Sequence, residues 1–145
     1  MKRSPALIRL SRQHHTALVL AKRAQGIGAG NNEATWRFMA HAVESFEREL
    51  EPHFRVEESM LLPLLAEAGE IEAVRRTLDD HQALRALHSR IRARDAASLR
   101  PFGDALEAHV RFEERELFAL AESLLTPEAL ATLEMNESKP LEPKP

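Results

Sequence analysis

The chain carries two copies of one short pattern. LEPHFRVEE at positions 50–58 reappears as LEAHVRFEE at positions 106–114, and the similarity extends over 46–64 and 102–120, where nine of nineteen positions are identical. A shorter match precedes each copy, His15-Thr16-Ala17-Leu18 before the first and His81-Gln82-Ala83-Leu84 before the second. The sequence is therefore a duplicated unit in which one histidine is followed by His-x-x-x-Glu. Four imidazoles and two carboxylates are what a two-metal site needs.

Length and composition indicate one helical domain. A chain of 145 residues is long enough for a single hydrophobic core. Glycine is rare, whereas Ala, Leu, Glu and Arg, which favour helices, are abundant. The absence of cysteine excludes disulfides, iron–sulfur ligation and thiolate catalysis. The net charge of −3 is too small to indicate a nucleic-acid or membrane partner.

We expect a cytoplasmic protein. No apolar run approaches the roughly 18 residues that a membrane span requires, and the basic amino terminus lacks the apolar stretch of a signal peptide. The amino terminus has some features of a transit peptide, but cleavage would remove His15, which belongs to the repeated motif. We therefore expect this segment to be retained.

The apolar periodicity predicts four long helices and a short fifth one. The predicted ranges are about 4–25, 32–68, 70–94, 102–125 and 127–135. Pro52 is expected to kink the second helix, and Pro63 to bend or end it. Amphipathic helices joined by short loops favour an all-α fold, an antiparallel up-down four-helix bundle. We assign residues 1–135 to this bundle and expect residues 136–145 to be a disordered tail.

The motif residues lie on helix faces that otherwise indicate core. The stripe on the second helix comprises Phe46, Leu50, His53, Glu57, Leu61 and Leu64. The stripe on the fourth comprises Phe102, Leu106, His109, Glu113, Leu117 and Leu120. Buried carboxylates cost several kcal/mol each unless they are paired or bind a cation. The duplicated pattern therefore predicts a metal site, with a metal-free His–Glu network as the alternative.

The chain has other histidines that the motif does not require. His41 lies about 120° around the helix from His53, and His88 lies about 10 Å along the helix from His81. His14 points about 100° away from its neighbour His15. We prefer His15 because its spacing to Leu18 matches the His81 copy, and His14 remains the alternative ligand.

Nitrogen and carboxylate ligands without thiolate suit iron or manganese, with zinc possible. No histidine has a glutamate three residues before it, which disfavours the ferritin-like di-iron proteins. With one histidine on each of two helices and His-x-x-x-Glu on each of the others, the sequence resembles the hemerythrin-like family of HHE cation-binding domains. This resemblance covers about 7–125.

The resemblance implies a four-helix bundle around two non-haem iron ions with an oxo or hydroxo bridge. By resemblance, one iron would be held by His15 and His53, and the other by His81 and His109. Glu57 and Glu113 would bridge them. Oxygen-carrying hemerythrins have a fifth histidine one turn from the ligand of the third helix. Here Thr77 and Arg85 occupy the two positions one turn from His81, so the resemblance does not extend to that ligand.

Two classes of function follow from these expectations. The first is a protein that binds or senses dioxygen, nitric oxide or a related oxidant. The second is a di-iron enzyme that removes peroxide or nitric oxide, or an iron-handling or repair protein. We expect a monomer or homodimer. We expect no nucleic-acid partner, because salt bridges to neighbouring acids explain the arginine-rich third helix. Glu58 and Glu114 could hold the ligand histidines, but we expect them to face solvent.

Overall fold

The computed structural model describes residues 3–28 and 30–137 of the chain, with side chains described up to residue 133. This part contains five helices and no strand. They are α1 (Pro5–Gly26), α2 (33–67), α3 (Ile71–Arg92), α4 (99–124) and α5 (Pro127–Glu137). The predicted all-α four-helix bundle is confirmed. Helix α5 extends two residues beyond its predicted end, and most of the predicted disordered tail lies outside the described residues.

Local hydrogen bonds set where the helices begin. Asn32 caps α2, because its side-chain oxygen accepts a hydrogen bond of 2.9 Å from the backbone N–H of Thr35. Asp95 caps a short 3₁₀ turn, Ala96–Ser98, that leads directly into α4. Helix α4 therefore begins at Leu99, three residues before the predicted start. Pro101 fits in its first turn, where a missing N–H costs nothing.

Three π-helical segments widen the turns of the two long motif helices. They are Phe46–Leu50 and Glu57–Leu61 in α2, and Glu113–Leu117 in α4. A π-helical turn holds more residues than an α-helical turn, so the side chains that follow it are rotated around the helix. The predicted stripes are therefore wrong at their ends. Leu65 is buried where Leu64 was expected, and Ala121 where Leu120 was expected.

Both prolines of α2 follow a π-helical segment closely. Pro52 comes two residues after Phe46–Leu50, and Pro63 comes two residues after Glu57–Leu61. A proline cannot donate a backbone hydrogen bond, and a π-helical segment is one of the ways in which a helix accommodates that loss. Helix α2 therefore continues past both prolines to residue 67.

The bundle core consists of two hydrophobic clusters with a polar layer between them. One cluster includes Ala17, Leu50 and Leu106, and the other includes Leu10 and Leu61. In α1, His14 lies between Leu10 and Ala17, and in α2, His53 and Glu57 lie between Leu50 and Leu61. They are therefore held in the middle of the bundle, away from either end.

Helix α1 packs mainly against α4 and α5, and α3 packs between α2 and α4. Gly103 allows the close approach of α1 and α4. A Cβ atom at this position would lie 2.6 Å from the carbonyl oxygen of Ala21 and 3.1 Å from the Cβ of Ala24. None of the helices described here is long and apolar enough to cross a bilayer.

The ends of α2 and α3 have the same backbone hydrogen bonds but different residues. After α2, Gly69 has φ 96°, and the N–H of Glu70 donates to the carbonyl of Leu65. After α3, Arg94 has φ 68°, and the N–H of Asp95 donates to the carbonyl of Arg90. Both are Schellman ends, in which a left-handed residue terminates the helix. Arg94 is strained there, because left-handed backbone costs a residue with a Cβ roughly 1–2 kcal/mol.

We expect Arg94→Gly to raise the free energy of unfolding by about 0.5–1 kcal/mol. The relief of strain at φ 68° is partly offset by the greater freedom of glycine in the unfolded chain. Gly69→Ala is the matched opposite change and should lower the free energy of unfolding by about 1 kcal/mol. Urea unfolding followed by circular dichroism measures both. An Arg94→Gly protein no more stable than the wild type would contradict this account.

Candidate metal centre

Six polar residues meet in the middle of the bundle, and all of them are buried. They are His14, His53, Glu57, His81, His109 and Glu113. They form two overlapping groups, in each of which the potential ligand atoms all lie within 4.8 Å of one another. One group adds His14 and His53 to the two glutamates, and the other adds His81 and His109. Glu57 and Glu113 belong to both groups.

The histidine that α1 contributes is His14, so the placement of His15 in the site is corrected by the structure. His14 is 4% exposed, whereas His15 lies on the exposed face of the helix. The buried face of α1 includes Leu10, Ala17 and Ala21, and His14 continues their spacing of three and four residues. The short match between His15 and His81 was misleading. The longer apolar period of α1 would have identified His14.

Each histidine directs its Nε2 atom towards one of the two glutamates. The shortest Nε2-to-oxygen distances are 2.8 Å for His14–Glu113, 3.2 Å for His53–Glu57, 3.0 Å for His81–Glu57 and 3.3 Å for His109–Glu113. The side chains on the His-x-x-x-Glu helices reach each other because four residues make about one helical turn. All four Nε2 atoms thus converge on the same two carboxylates.

The outer ring nitrogens, Nδ1, face a second set of polar groups. Three of them are within hydrogen-bond distance of a partner, at 2.5 Å to Gln13 from His53, 2.7 Å to Glu58 from His81 and 3.0 Å to Asp80 from His109. Nδ1 of His14 faces Glu114 at 3.7 Å, beyond hydrogen-bond distance. A partner of this kind fixes the tautomer and the orientation of a ligand imidazole. The expectation that Glu58 and Glu114 face solvent is therefore wrong. Their side chains are 24% and 32% exposed, and each turns towards a histidine.

Sequence reasoning missed Gln13 and Asp80 as members of this outer set. Each is adjacent to a histidine of the cluster, Gln13 to His14 and Asp80 to His81. Their partners, however, are histidines of other helices, His53 and His109. Such contacts depend on how the helices pack, and neither residue is part of the repeated pattern.

Aromatic side chains hold two of the imidazoles in place. The ring of His81 stacks on Phe54 at 4.0 Å between centroids, and the ring of His14 is parallel to that of Phe118 at 5.3 Å. Both phenylalanines are fully buried in the hydrophobic clusters. The packed core therefore restricts the rotation of these rings.

Burial and mutual repulsion determine the charges of the cluster when no cation is present. Burial, with the charge of Glu113, holds the pKa of Glu57 well above its usual range. Burial also opposes ionisation of Glu113, but the charge of His109 outweighs it and holds the pKa of Glu113 well below its usual range. Burial opposes protonation of His109, but Glu113 and Asp80 raise its pKa to about 10. The metal-free cluster therefore retains protons that a cation would displace.

The residues present fit a pair of divalent cations. Four inward-facing atoms are buried and make no hydrogen bond, namely His53 Nε2, His109 Nε2, Glu57 Oε2 and Glu113 Oε2. Each nitrogen lies 3.2–3.3 Å from a carboxylate oxygen, but without the alignment of a hydrogen bond. Buried polar atoms normally have partners, so four such atoms in one place indicate a site for cations. Imidazole nitrogen and carboxylate oxygen together suit iron, manganese or zinc.

A cavity of about 400 Å³ lies between α1 and α2 and reaches the cluster. His14, His53 and His109 border it. Much of its wall is apolar, with Leu10, Leu50 and other buried side chains, whereas Arg9, Arg48 and Glu49 lie at exposed positions. A small molecule can therefore reach the histidines between these two helices.

Comparison with known families gives a match over most of the chain. The model of the hemerythrin HHE cation-binding domain matches residues 7–121, which include all six residues of the cluster. No match was found among curated proteins or among solved structures.

We expect His14→Ala to lower the metal content by about one ion per chain and His15→Ala to leave it unchanged. The two residues are adjacent, but only His14 is buried against Glu113. Mass spectrometry of the purified variants, with circular dichroism to confirm helicity, measures the difference. Loss of metal from His15→Ala alone would contradict the assignment of His14 as the ligand that α1 contributes.

We expect metal binding to release protons and the affinity to rise with pH between about 6 and 9. With a pKa of about 10, His109 is protonated across this range in the metal-free protein. The raised pKa of Glu57 means that this carboxyl keeps its proton to a higher pH than an ordinary glutamate does. Each proton released changes the affinity by up to about tenfold per pH unit. Cobalt titrations at several pH values, with a pH indicator in weak buffer, measure both quantities. An affinity independent of pH would contradict these protonation states.

Proposed function

The chain belongs to the family of hemerythrin HHE cation-binding domains, and we propose that its six-residue cluster holds two iron ions. His14 and His53 would hold one ion, and His81 and His109 the other. Glu57 and Glu113 would bridge them. The observation that carries this proposal is the presence of both glutamates in two otherwise separate ligand groups.

We propose that the centre binds or senses dioxygen, nitric oxide or a related oxidant. Two bound irons would supply redox chemistry and open coordination positions. The positions one turn from His81 offer no fifth nitrogen ligand. Thr77 donates its hydroxyl to the carbonyl of Ala73 at 2.8 Å, and Arg85 is held by Glu51 and Glu58. A four-histidine centre therefore leaves room for an added ligand, which the cavity admits.

Binding or sensing is favoured over turnover by the chemistry of the cavity wall. The side chains beside His14 and His53 include Leu10, Ala17 and Leu50. Such a wall suits an apolar diatomic molecule and offers few groups that transfer protons, which a peroxide- or nitric oxide-removing enzyme would need. An oxidant-removing or iron-handling role is the second candidate, because the cavity is larger than a diatomic molecule requires.

We propose that the protein acts in the cytoplasm as a monomer or homodimer without a nucleic-acid partner. The absence of cysteine fits a reducing compartment. Two arginines of α3 bind acids of α2, Arg85 with Glu51 at 2.7 Å and Arg92 with Glu47 at 2.9 Å. These ion pairs give the basic helix a role within the bundle.

We expect two irons per chain and an absorption spectrum that changes reversibly on reduction and on exposure to air. Glu57→Ala and Glu113→Ala should each abolish binding of the second iron while the helices persist, because each removes a carboxylate shared by both groups. His88→Ala is the control. This histidine stacks on Phe46 at 4.3 Å and belongs to neither group.

Iron content by mass spectrometry, together with optical spectra, tests the proposal. Protein that folds in iron-supplemented medium yet contains no iron would refute the iron centre. Two irons retained by both glutamate variants would refute the bridging roles. Rates of reaction with dioxygen, peroxide and nitric oxide then distinguish a sensor from an enzyme.

A further inference from the structure

We infer that the two metal positions are unequal, and that Gln13 makes the position at His14 and His53 the weaker one. The position at His81 and His109 retains its ion, whereas the other exchanges. This inference rests on the proposed function, since it concerns the same cluster. Its evidence is separate, because it comes from the outer ring nitrogens and not from the ligand atoms.

At the stronger position, both outer nitrogens face carboxylates. Glu58 lies 2.7 Å from Nδ1 of His81, and Asp80 lies 3.0 Å from Nδ1 of His109. Arginines hold both acids in place. Arg85 donates to Glu58 at 2.9 Å, and Nε of Arg76 lies 3.5 Å from Asp80.

At the weaker position, neither outer nitrogen has such a partner. His53 faces the side-chain oxygen of Gln13 at 2.5 Å, and this partner is an uncharged amide. Nδ1 of His14 lies 3.7 Å from Glu114, too far for a hydrogen bond. The carboxylate of Glu114 is instead bound by Arg3 at 2.8 Å and by the hydroxyl of Ser11.

The charge of the partner decides how strongly an imidazole donates to a metal. A carboxylate that accepts the Nδ1 proton raises the basicity of the ligand nitrogen, and loss of such a partner typically costs about 10–100-fold in metal affinity. The stronger position has two carboxylate partners within hydrogen-bond distance and the weaker one has none. We therefore expect a large difference in metal affinity between the two positions. Access adds to it, because both ligand histidines of the weaker position border the cavity, whereas at the stronger position His109 does and His81 does not.

The test is the removal of iron from the full-length protein. The chain is loaded anaerobically with two ferrous ions and mixed with ferrozine, and the release of iron is followed optically. We expect two phases of about equal amplitude, separated at least tenfold in rate. Native mass spectrometry between the phases should detect the chain with one iron.

Variants assign each phase to a position. Gln13→Glu provides His53 with a carboxylate and should slow the fast phase about tenfold without changing the slow one. Asp80→Asn should accelerate the slow phase by a similar factor. Arg12→Gln is the control, because it changes the net charge by the same −1 as Gln13→Glu at a neighbouring exposed position. It should alter neither phase.

The direction of the Gln13→Glu effect excludes a merely structural role, because a damaged fold would release iron faster. If Gln13→Glu does not fold, Gln13→Leu removes the acceptor and should accelerate the fast phase alone. Release of both irons in one phase, or an unchanged fast phase in Gln13→Glu, would overturn the inference while leaving the iron centre intact. A wild-type chain that takes up no iron refutes the proposed function instead.

Discussion

The burial of two carboxylates side by side is the constraint on which the rest of the structure depends. Glu57 and Glu113 are fully buried, and a carboxylate oxygen of one lies within 4.8 Å of a carboxylate oxygen of the other. Two like charges this close cannot both persist in a core of low polarity. Protons partly relieve the repulsion in the metal-free protein, whereas divalent cations would relieve it completely. The inward-facing imidazoles and the outer acids that hold them follow from this requirement.

The fold and most of the cluster could be predicted from the sequence because the relevant patterns repeat along it. The spacing from His53 to Glu57 and from His109 to Glu113 places each pair on one helix face, whatever the surroundings. The Leu, Ala and Phe residues on the same faces indicate burial. Local spacing alone was therefore sufficient for these four residues, and for His81 on α3.

The errors occurred where the structure depends on contacts between helices or on departures from α-helical geometry. Leu65 is buried in place of Leu64 because of a π-helical segment that no sequence period reveals. The choice of His15 over His14 is a different kind of error, because the apolar period along the whole of α1 indicates His14. Gln13 and Asp80 contact histidines on other helices, and only the packed bundle brings those residues together.

The packing of α1 has a consequence for the order in which the molecule can assemble. Among the described helices α1 is synthesised before the other four, yet it packs mainly against α4 and α5. Glu113, which both ligand groups share, also lies on α4. A partly synthesised chain that ends before α4 cannot complete either group, even though His14, His53, Glu57 and His81 are already present. Capture of a metal ion in this geometry would therefore require α4 to have joined the other three helices, and an occupied site would report a closed four-helix bundle.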